Sequence, residues 1–229
     1  MQIKEIILQT HLINELKNFY LNTIGLKLLN ENDKSFSVKA GSSVIKFNKF
    51  KLNKNEFPFY HFAFNIPQNQ FSEAKKWLAA KVQLIKLDGE DEFHFKSWNA
   101  HSVYFYDPAG NIIELIARHN LTNSTDLLFS GESLLCISEI GIPVINLKGF
   151  LNRLSEDVHL PLFSGDNETF SAIGNEEGLF ILVNKGRKWY PDCPEAEIFP
   201  LSVEINSDKE SEIIIDEINF KIKLTKKSD

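Results

Sequence analysis

Glu114 makes the clearest chemical demand in this chain. It lies in Ser102-Val-Tyr-Phe-Tyr-Asp-Pro-Ala-Gly-Asn-Ile-Ile-Glu114-Leu-Ile-Ala-Arg118, which reads as a strand, a tight turn and a second strand. The turn has suitable chemistry: proline presets φ, glycine allows positive φ, and Asp107 and Asn111 can bond back to the backbone. Residues alternate at a period of two, so Glu114 shares a face with Ile112 and Ile116. That face is expected to point inward. An ionised carboxylate aimed into an apolar concavity is costly unless something neutralises it.

The elements that position this strand repeat along the chain. Ile3 to Gln9 is an apolar strand, Leu12 to Leu21 has helical spacing closed by Gly25, and three short strands follow up to Phe50. The same order recurs: a strand at Phe59 to Ile66, a helix at Asn69 to Ala80, then strands at Val82 to Leu87, Ser102 to Tyr106 and Ile112 to Ala117. The interval 88–98 reads as a polar loop with aromatic interruptions. Residues 121–133 read as a linker. Beyond it, Glu139-Ile-Gly-Ile-Pro-Val matches Glu5-Ile-Ile-Leu-Gln-Thr, and Phe170-Ser-Ala-Ile-Gly matches Phe36-Ser-Val-Lys-Ala-Gly, both at an offset of 134 residues. One offset found twice argues for duplication. The fold class is therefore α+β, built from βαβββ modules, with a truncated fourth module that begins at Phe199, lacks room for a full helix and ends in strands at Glu212 to Glu217 and Asn219 to Leu224.

Composition narrows the function. The chain of 229 residues is 43% hydrophobic and 24% charged, with a net charge of −6 and 19 phenylalanines. This is an ordinary globular composition, and the acidic balance argues against binding nucleic acid by phosphate neutralisation. No apolar run is long enough to span a membrane and no signal peptide is visible, so a cytoplasmic protein is expected. Cys136 and Cys193 lack CxxC spacing and read as reduced thiols.

The His-Phe-Ala-Phe strand from His61 and the Tyr-Phe-Tyr-Asp-Pro-Ala-Gly-Asn-Ile-Ile-Glu-Leu element resemble the vicinal oxygen chelate superfamily, which includes glyoxalase I, bleomycin and fosfomycin resistance proteins and extradiol dioxygenases. The resemblance is strong over residues 1–118 and architectural from 134 onward. It implies modules paired edge to edge into two half-open cupped barrels. Residues 1–120 would form a glyoxalase-like domain with the site, and 134–229 a degenerate second one. It also implies metal ligands on the first and last strands of each module, carried here by Glu5, His61 and Glu114. The family's fourth position falls near Lys46. In the second half, Glu139 corresponds to Glu5, Pro200 falls opposite His61, and the last strand offers lysines, so no ligand set is expected there.

Two readings of these residues follow. In one, Glu5, His61 and Glu114 hold a divalent ion (Zn, Mn, Ni, Mg or Fe) and Glu114 acts as catalytic base on a small oxygenated substrate, in an isomerase, lyase or dioxygenase. In the other, Lys46 pairs with Glu5 or Glu114, and the cup is metal-free and sequesters an aromatic or antibiotic-like ligand, as bleomycin resistance proteins do. Lys46, Trp98, His101 and Arg118 are candidate substrate contacts; for Trp98 and His101 the alternative is a structural loop role, and for Arg118 a surface ion pair. The loop Gly186-Arg-Lys-Trp-Tyr-Pro191 reads as structural. A monomer or a homodimer is compatible with two internal halves.

Overall fold

The computed structural model describes residues 1–51 and 57–226. Module 1 comprises β1 (Ile3–Thr10), α1 (Ile13–Asn18, continued by a wider turn at Phe19–Thr23), β2 (Lys27–Asn32), β3 (Ser35–Ala40) and β4 (Ser43–Lys49). Module 2 comprises β5 (His61–Ile66), α2 (Phe71–Ala79), β6 (Phe93–Phe95), β7 (Ala100–Tyr106) and β8 (Ile112–Arg118). Module 3 comprises β9 (Cys136–Val144), α3 (Leu147–Asp157), β10 (Leu162–Gly165), β11 (Phe170–Asn175) and β12 (Gly178–Asn184). Module 4 has three strands, β13 (Leu201–Ser207), β14 (Ser211–Ile215) and β15 (Phe220–Lys226), with a single 3-10 turn at Asp216–Ile218 and no α-helix among its described residues. The α+β class and the missing fourth helix are as the sequence indicates.

Two local readings change. Val82 to Leu87 forms only isolated bridges, Leu84 to Phe105 and Leu87 to Glu90. The strand that extends the sheet is β6, inside the interval read as a loop, and it pairs with β7. The polar, turn-rich flanks of Phe93-His-Phe95 hid a strand only three residues long. Segment 121–133 is strapped to module 2: Asn123 Oδ1 accepts from the Gln68 amide at 2.8 Å, and Asn69 and Thr125 bond to each other's polar groups.

The modules do not pair in sequence order. β1 runs antiparallel to β13, and β5 antiparallel to β9, so module 1 meets module 4 and module 2 meets module 3. β1 also touches β9 at Ile3 and Ile137, joining both halves into one sheet. Alternation fixes which face of a strand is buried but leaves its edge partner open, so pairing of modules 1 and 2 was as compatible with the pattern. The register puts Phe62 opposite Ile140 and Ala63 opposite Glu139. Phe62, Phe64, Ile113, Leu115, Val103 and Phe105 join the main core beneath the helices. His61, Ala63, Ile112, Glu114, Ser102 and Tyr104 occupy alternate positions and face the concavity between modules 2 and 3.

This pairing makes the first half dependent on the second. A fragment of residues 1–120 leaves the outer edges of β1 and β5 without their partner strands β13 and β9. It is expected to show no cooperative thermal transition by circular dichroism, whereas the full chain shows one. A cooperative transition in the fragment would contradict the interlocked pairing.

Candidate metal and ligand site

His61, Glu114 and Glu139 meet at the base of the module 2–module 3 concavity. All three are buried, and one potential ligand atom from each lies within 4.8 Å of the others. β5 and β8 run parallel with Ala63 beside Glu114. β9 brings Glu139 opposite Ala63 from the other module. The turn between β7 and β8 fixes the approach of Glu114: Asp107 Oδ1 accepts from the amides of Ala109 and Asn111, and Gly110 adopts φ +81.

The hydrogen bonds define each group's state. His61 Nδ1 lies 3.1 Å from the Ile112 carbonyl, which can only accept, so Nδ1 carries the proton. Nε2 then presents a lone pair to the cup, 3.8 Å from Glu114 Oε2. Burial holds the imidazole neutral, with its pKa lowered to about 4. Ser102 Oγ donates to Glu114 Oε1, and the Tyr104 hydroxyl also donates to this carboxylate. Burial, helped by the Glu139 charge, raises Glu114 to about 8. Arg118 Nη2 donates to Glu139 Oε1, while Arg118 Nε donates to Ser138 Oγ at 3.2 Å. Burial raises the Glu139 carboxyl and the Arg118 guanidinium opposes that rise.

A charge count follows. Two buried carboxylates face one buried guanidinium and a neutral imidazole, so the ionised base carries one negative charge in excess. A proton on Glu114 removes it, and so does a bound cation. The donor set fits a divalent ion. Metal–ligand bonds of about 2.0–2.2 Å place ligand atoms roughly 3–4 Å apart, close to the 3.8 Å between His61 and Glu114. The Nδ1–carbonyl bond is the usual means of orienting a ligating histidine.

The structure brings together His61 and Glu114 but not Glu5. Glu5 lies on β1 opposite Glu204 of β13, half-buried among Glu204, Lys46 and Lys223. Lys46 stands beside Ile7 on β4, in that other half, and reaches Glu5 electrostatically; it has no part in the cup of Glu114. Both corrections follow from the pairing of module 1 with module 4. Glu139, read as part of a half without a ligand set, is the residue that stands beside His61 and Glu114. Arg118 is not a surface residue: β8 extends to it, two steps beyond Ile116, so it shares Glu114's face and is fully buried. Trp98 lines the cavity, and the Arg118 guanidinium lies 5.3 Å from its ring. His101 faces away, because it alternates with Ser102 on β7; it stacks on His94 and bonds to His119.

A cavity of about 260 Å³ opens above the three residues, walled by Phe95, Trp98, Tyr104, Phe170, Trp189 and Tyr190, with Ile181, Ser164 and Arg187. The loop after β12, read as structural, thus supplies part of the ligand wall. Trp189 is wedged against β9 at Gly141, where a Cβ would come within 2.5 Å of its ring and 3.2 Å of the His61 Cβ. The aromatic run Trp189-Tyr190 was the available signal. Its destination depended on the unforeseen module pairing.

Solved structures share this architecture. The chain is similar to a putative dioxygenase from Bacillus subtilis subsp. subtilis str. 168, with a TM-score of 0.62, 14% identity and coverage of 98% of this chain and 85% of that one. The chain has the vicinal oxygen chelate fold. Glyoxalase I from Zea mays matches at a TM-score of 0.58 and 13% identity over 98% of this chain and 92% of that one, and its V278E mutant at 0.60 and 12% over the same shares. No protein-family model matches the sequence, and no curated protein does. Among the described residues, no helix is long and apolar enough to cross a membrane.

The raised Glu114 pKa has a stability consequence. Without metal, the folded carboxyl keeps its proton up to about pH 8, whereas the unfolded one loses it near 4.3. The folded state therefore binds more protons and loses stability as pH rises through this interval. His61 acts oppositely, but only below its unfolded value near 6.5. From pH 6.5 to 8 the metal-free protein is expected to lose about 1 kcal/mol. Urea unfolding across this range should show the loss in the wild type and a flatter profile in Glu114→Gln. Matching slopes would contradict the assignment.

Proposed function

We propose that this chain is a divalent-metal-dependent enzyme of the glyoxalase and dioxygenase type, acting on a small oxygenated molecule in the cavity above His61, Glu114 and Glu139. One observation carries the reading: an imidazole lone pair and two carboxylates converge on a base with one unbalanced negative charge. A bound ion would supply Lewis acidity toward neighbouring substrate oxygens. The protein groups would divide the remaining work. Arg118 holds Glu139 in place, and the Ile112 carbonyl holds His61. Glu114, bonded to Ser102 and Tyr104 and raised toward neutrality, is the group suited to accept and return a proton. Two carboxylates with one histidine differ from the two-histidine, one-carboxylate set of non-haem iron oxygenases. That difference favours isomerase or lyase chemistry over oxygen activation. The oxygen-rich set suits Mn²⁺, Mg²⁺, Zn²⁺ or Ni²⁺.

A second reading is a protein that sequesters a ligand without turnover. It is favoured by the proton on Glu114, which balances the base without an ion.

Mn²⁺ binding followed by electron paramagnetic resonance separates these readings. One ion per chain is expected, with affinity rising about tenfold per pH unit below pH 8 as a proton leaves Glu114. His61→Ala and Glu139→Gln should each weaken binding at least tenfold, and Glu5→Gln should leave it unchanged. Loss of binding in Glu5→Gln, or full binding in His61→Ala, would overturn this ligand set. A wild type that binds no Mn²⁺ would replace the first reading with the second.

A further inference from the structure

We propose that the cavity takes a single-ring aromatic anion, with its ring among the aromatic walls and its anionic group on the guanidinium of Arg187. This deepens the metal reading and relies on it for charge balance at the base.

Arg187 differs from its neighbours. Lys185 pairs with Glu197 at 3.0 Å and Lys188 with Asp192 at 3.0 Å. Arg187 has no ion-pair partner among the described residues. Its guanidinium lies 5.3 Å over the ring of Phe170, and both residues line the cavity. The backbone beneath it is fixed, since the Arg187 amide donates to the Asn184 carbonyl and the Arg187 carbonyl accepts from Ala196. A cation resting on an aromatic face keeps its five donors free for a carboxylate. Arg118, by contrast, is buried and bonded to Glu139 and Ser138, with only Nη1 left without a partner.

The walls select the rest of the ligand. Trp98 and Phe170 lie near-parallel with centroids 6.5 Å apart, and Tyr190 stands edge-on to both Phe95 and Tyr104. Faces and edges so disposed favour a flat ring by offset stacking and edge contacts. The volume of about 260 Å³ is at the small end of ligand cavities and suits one ring with short substituents, not a peptide-sized ligand. Charge decides the sign. With a divalent ion at the base, Glu114, Glu139 and Arg118 leave a net single positive charge below and Arg187 above, so an anion is favoured at both ends.

The test compares 4-hydroxybenzoate with its neutral counterpart 4-hydroxybenzamide, and with 4-hydroxycyclohexanecarboxylate, by calorimetry on the full chain with and without saturating Mn²⁺. The benzoate is expected to bind the Mn²⁺-loaded protein at least tenfold more tightly than either comparison ligand. Arg187→Gln should bring benzoate and benzamide within twofold of each other without weakening benzamide, and Arg187→Lys should restore part of the preference. Equal binding of acid and amide, a preference that survives Arg187→Gln, or a loaded protein that binds neither would overturn the proposal. The metal reading is judged separately. A protein that binds no Mn²⁺ defeats that reading, and the acid-to-amide ratio measured without metal then decides this one. A protein that loads Mn²⁺ without the ratio defeats this proposal alone.

Discussion

Two buried carboxylates share one buried guanidinium, and most of the site's properties follow from that imbalance. Arg118 serves them unequally: its Nη2 goes to Glu139 and its Nε to Ser138, its Nη1 has no hydrogen-bond partner, and it reaches Glu114 only through its charge. Glu114 is left with hydroxyl donors from Ser102 and Tyr104, which stabilise a carboxylate only in part. Burial then favours the protonated acid, and His61 cannot help because burial keeps it neutral. The base of the cup is therefore one positive charge short of balance when both carboxylates are ionised.

This imbalance exists only because module 2 meets module 3. The antiparallel register of β5 and β9 relates the two modules by a local twofold centred near Phe62 and Ile140. That symmetry makes Glu139 the counterpart of His61. It makes Ile181, which β12 holds beside Gly141, the counterpart of Glu114. Three of the four equivalent positions thus bear ligand-type side chains and the fourth is apolar. Ile181 closes one side of the cup to water, while the cavity wall from Phe95 to Trp189 shapes the open side.

Much of this was legible in the sequence, and what was not has a physical cause. The period-two pattern around Glu114 placed its carboxylate in a concavity, and the turn residues Asp107 to Asn111 form the expected turn. The same periodicity carried two positions further would have put Arg118 on Glu114's face. Glu139 was visible as the counterpart of Glu5 through the repeated offset. Its neighbours were not visible, because alternation is silent about which edges join. β1 and β5 both read as apolar strands, and neither pattern names its partner. His101 misled for a related reason: proximity to the motif in sequence says nothing when the next residue points to the opposite face. Lys46 was correctly seen as a cation near Glu5, but its half of the sheet was wrong for Glu114.

The two halves show why ligand-type residues alone do not make a metal site. In the module 1–module 4 half, Glu5 faces Glu204, with Lys46 beside Ile7 and Lys223 beside Glu204. Lys223 Nζ donates to Glu204 at 2.8 Å, and Thr225 adds a hydroxyl. Two carboxylates meet two ammonium groups, so the charges balance internally, and Glu5 remains only half-buried. Glu5 is chemically as good a ligand as Glu139. What differs is the count of fixed cations around it. There Lys223 already pairs with Glu204, and Lys46 and Lys223 both act on Glu5 through their charge, so an added ion would meet cations already in place. With one arginine for two carboxylates, an added ion instead displaces only a proton from Glu114. The capacity to recruit a cation therefore tracks the charge deficit of each cup more closely than its inventory of histidine and glutamate.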